Sequence, residues 1–340
     1  LAEAVTQDHS TLIEKHLREQ LERYDQRAEP FSLLNLAMLD DGLFVYVPRE
    51  AVIDQPIHVL NIASGQFGGH MSHPHNLIIA EESARATVIE HYVTLNEQQE
   101  TPYLNNAISQ IVADAGAVVH HYYIEDEART AYNIATLRMH LAEHADVHSH
   151  TALFGGNIVR NNVNPRLAGS KAHCLINGLF VGTGEQHLDN HMRVEHAAPD
   201  CDSRQFYKGI MDDKASGVFA GRIIVDRIAQ KTDAKQTNQN LLLSDHAAVD
   251  AKPQLEIYAD DVKCTHGATV GELDEDAMFY LRSRGLDETQ ARSLLIYGFA
   301  AETFDRIDLE PVRDHLIARL QESLSRGTHM PDVTTQTAET

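Results

Sequence analysis

Hydrophobic and polar residues alternate along most of the chain, in short runs that small or polar turn residues separate. Alternation with a period of two is typical of β-strands that bury one face. The pattern is clear at residues 43–48 and 57–63, and it recurs as far as about residue 260. We therefore predict a mainly β architecture for this part of the chain.

The strand pattern also repeats at a nearly constant distance. Several segments begin with a turn and an Ala before a strand, and these alanines follow one another at steps of 31, 28 and 27 residues: Ala86, Ala117, Ala145 and Ala172. A repeat of this length with little helix between the copies favours a solenoid, and we predict a parallel β-helix in which each coil packs on its neighbours. Asparagines are expected to stack at the corners of successive coils: Asn161, Asn162, Asn164, Asn238 and Asn240. A β-sandwich is the alternative, since short strands and turns also suit it.

Both ends of the chain carry a helical pattern. Before Pro30, which is expected to end the first helix, apolar residues and one histidine recur at helical spacing: Leu12, Ile13, His16, Leu17 and Leu21. After residue 272, Asp274 and Asp287 are predicted to cap two helices and Pro311 to start a third. The second of these helices carries an apolar stripe: Ala291, Leu294, Leu295, Gly298 and Ala301.

These patterns divide the chain into four parts. We predict an N-terminal helical segment (1–30), a β-helix core (31–272), a C-terminal helical domain (273–327) and a disordered tail (328–340). Because the chain starts at Leu1 rather than Met, we expect the N-terminal segment to be truncated.

The net charge is −22, from 28 Lys and Arg against 50 Asp and Glu. Such a surface repels phosphate groups, so neither nucleic acid nor an anionic membrane is an expected partner. The sequence has no apolar run of transmembrane length, and its first ten residues lack the basic and apolar segments of a secretory signal. Three cysteines are too few for a disulfide framework and fit a reducing compartment. We therefore expect a cytoplasmic protein.

The tripeptide Cys264-Thr265-His266 places a thiol and an imidazole two residues apart. On an extended strand both side chains point to the same face, with Thr265 on the other. A thiolate and an imidazole suit zinc, iron or copper, but two ligands do not complete a site. The alternative is structural, with Cys264 as a small buried hydrophobe and His266 as a hydrogen-bonded residue.

Histidines number 21, and the densest group, which also contains Asp189 and Glu195, is His187, His191 and His196. The region is rich in Asn, Gly and Pro, so we interpret it as a loop in which a catalytic metal site could be built. The alternative is a set of solvated histidines on an acidic surface. Three more histidines are four residues apart in a region of strand and turn, where that spacing brings no three ligands together: His140, His144 and His148. Motifs of nucleophilic hydrolases and phosphate-binding loops are absent, so nucleotide hydrolysis is not expected.

A resemblance to a known family begins at the Cys-Thr-His motif. The sequence ADDVKCTHGATVGELDEDAMFYLRSRG (259–285) closely resembles the end of the β-domain in the SufB/SufD family of iron–sulfur cluster assembly proteins. Residues 32–48, 86–97 and 231–271 are also similar to the family, and residues 286–302 look like its C-terminal helical domain. The resemblance covers residues 30–326. Gly267 stands where SufB proteins tend to carry Glu, so the chain resembles the SufD branch.

The resemblance implies a right-handed parallel β-helix flanked by helical ends, and a non-enzymatic scaffold subunit of a complex. It implies two partners, a SufB homologue and a SufC ATPase homologue. It implies no permanently bound cofactor, with iron or a transient iron–sulfur cluster handled at the SufB interface. Cys264 and His266 fall on the family motif at that interface, which favours a ligand role, His266 above all. The C-terminal helices would dock SufC, with these candidate residues: Leu294, Leu295, Tyr297, Gly298 and Phe299.

Two other classes of function stay open from the residues alone. One is a metal-dependent or carbohydrate-active enzyme on a β-helix, built around residues 187–196. The other is a structural module that forms a homodimer without chemistry, and a homodimer of the isolated chain is also compatible with the scaffold. Metal bound through His187 and His191 would favour the enzyme.

Overall fold

The computed structural model describes residues 1–5, 9–23, 29–39, 41–64, 69–95 and 101–325. Within these ranges the chain forms a parallel β-helix with helices at both ends. Helices α1 (Ala2–Val5), α2 (Ser10–Arg23) and α3 (Pro30–Ala37) come before the strands, and α4 (Glu275–Ser283), α5 (Glu288–Phe304) and α6 (Glu310–Ser325) follow them. Among the described residues, no helix is long and apolar enough to span a membrane.

The strands form two sheets, and successive coils contribute one strand to each. Sheet 1 contains β1 (Phe44–Val47), β4 (His75–Ala80), β6 (Tyr103–Ala113), β8 (Ala131–Leu141), β10 (Ile158–Leu167), β12 (His187–His196), β14 (Ser216–Val225) and β16 (Ala248–Ile257), with β3 (Met71–Ser72) beside β6. Sheet 2 contains β2 (Ile57–Ala63), β5 (Arg85–Thr94), β7 (Val118–Asp126), β9 (Asp146–Leu153), β11 (His173–Gly182), β13 (Asp202–Met211), β15 (Asp233–Leu242) and β17 (Lys263–Glu272). The paired strands run parallel, from β1 with β4 to β15 with β17. This confirms the β-helix, and the β-sandwich alternative is wrong because its sheets would be antiparallel.

A left-handed residue followed by a small buried one marks the corner of successive coils. The left-handed residues have φ angles of 57° to 67°: Ser83, Gly116, His144, Lys171, Asp200 and Lys231. The next residue is buried in all six of these corners: Ala84, Ala117, Ala145, Ala172, Cys201 and Thr232. The alignment of Ala86 with Ala117 is therefore wrong: Ala84 accepts the hydrogen bond from Val118 N, and Ala86 pairs with Val119.

The asparagines predicted at the corners lie instead within strands β10 and β15. Asn161 is buried in the interior and donates from Nδ2 to Asn190 Oδ1 at 3.4 Å. Asn238 and Asn240 bond to each other, with Asn240 Nδ2 donating to Asn238 Oδ1 at 2.6 Å. Buried asparagines thus bond to one another inside the coils, while Ser, Gly, His, Lys and Asp occupy the left-handed corners.

The helices at the two ends cover opposite walls of the β-helix. Helix α2 packs on the outer face of sheet 1, where Ile13 joins Leu77 and Ile79. The C-terminal helices pack on the outer face of sheet 2, where Ile296 and Phe304 join Leu179 and other apolar residues. Each group of helices thus covers part of one wall of the β-helix.

Local signals set the helix boundaries. Asp274 accepts hydrogen bonds from Asp276 N and Ala277 N, and Asp287 forms the predicted capping box with Gln290. Pro30 differs from the prediction, since it stands at the first turn of α3 and begins a helix. The predicted tail, residues 328–340, lies outside the described residues.

The apolar stripe predicted on α5 is not the face that packs on sheet 2. Ala291 is buried, but Leu294 and Gly298 are exposed, and the contact with sheet 2 is made by Ile296 and Ala300. The other four residues of the stripe lie on the side of α5 roughly opposite Ile296 and Ala300, because each residue advances a helix by about 100°.

Candidate functional site

The two sheets end at β16 and β17, and each of these strands is paired on one side only. Strand β16 pairs with β14, and β17 pairs with β15. Among the described residues no strand pairs with their outer edges. The N–H group of Lys263 donates to Thr232 O, toward β15. Because N–H groups alternate in direction along a strand, those of the even-numbered residues of β17 point to the free edge.

The interior of the β-helix is open at this end. Three residues of β17 continue columns of interior side chains that are buried one coil earlier: His266 over Gln236, Ala268 over Asn238, and Val270 over Asn240. All three β17 residues are exposed, and Val270 has 47% of its surface accessible. Interior positions without a following coil form a surface that fits another strand pair stacked on the end.

Cys264 and His266 lie on this open end, on the same inward face of β17. Cys264 stands over Ala234, is half-buried and packs on the main core, whereas His266 is exposed. Burial raises the pKa of the Cys264 thiol above its ordinary value, and the nearby Asp233 carboxylate adds to this rise. The thiol of the isolated chain is therefore protonated at neutral pH, and a bound metal ion would have to displace the proton.

Thiolate sulfur and imidazole nitrogen are good ligands for iron and zinc. Among the described residues, Cys264 and His266 belong to no group of three His, Cys, Asp or Glu residues whose ligand atoms all lie within 4.8 Å of one another. The described residues therefore do not complete a coordination shell around this pair.

The histidines at 187, 191 and 196 are not in a loop, which corrects the prediction. They lie on β12, where His187 and His191 share the outer face and are partly exposed. His196 points into the interior, where its Nε2 lies 2.8 Å from Ser203 Oγ and burial lowers its pKa to about 4. The odd separation of His196 from the other two places it on the opposite face of the strand, so the structure does not bring the three together.

The candidate docking residues of α5 differ in exposure. Leu294 is 43% exposed and Gly298 is exposed, whereas Leu295, Tyr297 and Phe299 are half-buried. Phe299 is held from the β-helix side: Lys208 Nζ lies 4.6 Å from its ring centroid and donates to its carbonyl oxygen at 2.8 Å.

Two exposed aromatic residues on α4 were not predicted as part of a docking surface. Phe279 is 76% exposed and Tyr280 is 56% exposed, and α4 has no buried residue. A signal was present in the sequence, because Met278, Phe279, Tyr280 and Leu281 are consecutive and a short helix cannot turn all four toward a core. Together with Leu294, they give the α4–α5 pair an exposed apolar surface.

Comparison with known proteins shows which family the chain belongs to. Residues 61–299 match the family model described as SUF system FeS cluster assembly, SufBD core domain, and residues 1–59 match the SufBD protein N-terminal region. The chain is 38% identical over 304 residues to the iron–sulfur cluster assembly protein SufD of Escherichia coli (strain K12), covering 88% of this chain and 71% of that protein. It is 34% identical to an iron–sulfur cluster assembly SufBD family protein of Synechocystis, covering 93% and 72% of the two chains. Identity to SufD of Bacillus subtilis (strain 168) is 28%, covering 92% and 71%.

Proposed function

Because the chain belongs to the SufBD family of iron–sulfur cluster assembly proteins, we propose that it is a SufD-like scaffold subunit that binds a SufB homologue through its open end. The observation that carries the proposal is the pair of free edges at β16 and β17, beside interior positions that are exposed only in the last coil. A partner with a similar end would continue both sheets and cover Val270 and its neighbours.

Cys264 and His266 are the residues that would meet the growing cluster. Both face the partner across this end, and together they supply a thiolate and an imidazole, which iron accepts. Because Cys264 and His266 need further ligands, we expect the SufB homologue to supply a thiolate. Iron and the cluster are cargo in this account, and the chain holds no permanent cofactor.

The exposed surface of α4 and α5 is the proposed docking site for a SufC ATPase homologue. It offers Phe279 and Tyr280 with Leu294, which the β-helix does not cover. In this arrangement the chain is a cytoplasmic scaffold rather than an enzyme, and nucleotide hydrolysis takes place in SufC. The alternative enzyme around residues 187–196 is not favoured, since His196 faces away from His187 and His191.

Substitution at Ala268 tests directly whether the free edge of β17 binds the SufB homologue. Ala268 is exposed and its N–H points to the free edge, so Ala268→Pro removes a donor that a partner strand would use and leaves the ladder with β15 intact. We expect affinity for the SufB homologue to fall by at least about tenfold, the loss of one or two interchain hydrogen bonds. Ala268→Ser keeps both the size and the N–H group and should bind normally. Equal affinity of both variants would place the interface elsewhere.

A further inference from the structure

A cluster of histidine and aspartate side chains lies on the outer face of sheet 2, away from the open end. Asp146 and His148 come from β9, and His173 comes from the neighbouring strand β11. The parallel register sets Asp146 beside His173. Two further strands, β13 and β15, separate β11 from β17, so this cluster is distinct from the interface proposed above.

The ligand atoms of these three residues already converge. Asp146 Oδ1 lies 2.7 Å from His173 Nδ1 and 3.2 Å from His148 Nε2, and all three atoms lie within 4.8 Å of one another. Two ligands that each stand about 2.1 Å from a metal ion are about 3.0–3.4 Å apart at tetrahedral or octahedral angles. The two distances from Asp146 Oδ1 lie within a few tenths of an ångström of this range.

A second layer of residues orients His173. Its other nitrogen, Nε2, lies 3.3 Å from Asp202 Oδ1, and Arg204 donates to Asp202 Oδ2 at 2.6 Å. Metal-bound imidazoles commonly donate their other N–H to a carboxylate, which fixes the ring and strengthens the ligand. The two carboxylates would also balance the charge of a divalent ion.

His148 turns its Nε2 toward Asp146, so Nε2 is the nitrogen that would bind an ion shared with Asp146 and His173. Its other nitrogen, Nδ1, is buried and has no hydrogen-bond partner among the described residues. With His120 and Asp308, His148 forms a second group of three possible ligands, and the His120 and His148 ring centroids are 4.8 Å apart.

We propose that Asp146, His148 and His173 bind a divalent transition-metal ion on the wall of the β-helix. Two imidazoles with one carboxylate suit Zn²⁺, Fe²⁺ or Co²⁺, whereas Mg²⁺ and Ca²⁺ prefer oxygen ligands throughout. The three side chains are partly exposed, so an ion can enter from solvent and water can complete its coordination. The competing explanation is a metal-free ladder of ion pairs, in which His173 bridges Asp146 and Asp202.

Cobalt binding to the untagged, isolated chain separates these explanations. After chelator treatment, Co²⁺ is titrated in by calorimetry and followed by its visible absorption. We expect one tight site, whose affinity falls by at least about 100-fold in His148→Ala and His173→Ala, and by about 10- to 100-fold in Asp202→Asn. Mg²⁺ should not compete. Circular dichroism verifies folding, and His148→Gln serves as a second variant if the alanine variant does not fold.

His191→Ala is the matched control. His191 is partly exposed and lies 2.8 Å from Asp189 Oδ1, but it belongs to no three-ligand group among the described residues, so its loss should leave the tight site unchanged. Wild-type affinity in His148→Ala and His173→Ala would overturn the proposal, as would the absence of tight Co²⁺ binding. Loss of the site in His120→Ala but not in His173→Ala would also overturn it and move the ion to the His120–His148–Asp308 group. None of these readouts involves SufB or SufC, so failure here is separate from failure of the scaffold proposal.

Discussion

His266 stands directly over Gln236 in the parallel ladder of sheet 2, yet His266 is exposed where Gln236 is buried. The contrast arises because β17 is the last strand of its sheet among the described residues, which place no coil above it. A side chain that would be interior in any other coil is thus available to a partner. His266 therefore occupies an interior position in the repeat and is still free to contact a partner.

Replacing His266 tests its role at this end. We expect His266→Ala to lower the yield of iron–sulfur cluster in the assembled complex by about tenfold, because the exposed imidazole that would bind iron is lost. Stability should change by less than about 0.5 kcal/mol, as for other surface substitutions. Cluster yield is measured by visible absorption after reconstitution, and Thr265→Ala, on the opposite face of β17, is the control. A normal yield of cluster from His266→Ala would show that this residue has no role in cluster assembly.

The aromatic residues of α4 give a prediction about the ATPase. Phe279→Asp should weaken binding of the SufC homologue by at least about tenfold, since it puts a charge on an exposed apolar surface that the partner would bury. Leu294→Asp should act in the same direction. Ile228→Asp is the control, because Ile228 is 70% exposed on a turn of the β-helix. Affinity can be measured by titration calorimetry, and unchanged binding in both α4–α5 variants would move the docking site.

His75 makes stability depend on pH. Its ring is buried, and Nδ1 lies 3.0 Å from Asn35 Oδ1. The Nδ2 group of Asn35 donates to the carbonyls of Pro74 and Asn106, so Oδ1 accepts a hydrogen bond from the Nδ1–H group of His75. Burial lowers the pKa of His75 to about 4, and the charge of Arg138 acts in the same direction.

The sign of the effect follows from this lowered pKa. In the unfolded chain the pKa is about 6.5, so between pH 6.5 and 4 the unfolded state binds more protons. The contribution of His75 is therefore complete above pH 6.5 and is lost as the pH falls toward 4, by an amount on the order of 3 kcal/mol. Urea unfolding at pH 7 and pH 4.5 measures it. His75→Gln should show a smaller difference between the two pH values than the wild-type chain, and an equal difference would contradict this assignment.

The sequence predicted the structural features that depend on a few adjacent residues, such as helix caps and single strands. The caps at Asp274 and Asp287 and strand β2 agree with the structure because each depends on a few adjacent residues. The sequence pattern predicts a loop at strand β12, because the polar residues of this strand interrupt the alternation. In the structure Asn190 pairs with Asn161 inside the β-helix, so a polar residue is interior there.

The cluster of Asp146, His148 and His173 depends on contacts between neighbouring strands. The spacing of His140, His144 and His148 along the chain does not reveal the Asp146–His148–His173 cluster, because its members come from two neighbouring coils. The step of 27 residues between Ala145 and Ala172 already placed Asp146 beside His173. The open end could not be derived from periodicity, because the pattern of β17 is that of an interior strand and only the absence of a following coil exposes it.

Recovery of the chain with its partners from its native cells tests the central claim most directly. Affinity purification followed by native mass spectrometry would show which proteins accompany it and in what ratio. The account predicts a complex with a SufB homologue and a SufC homologue, and loss of SufB from that complex in Ala268→Pro. A chain recovered alone or as a homodimer, with neither partner, would contradict the scaffold proposal and leave the family membership as a statement about fold.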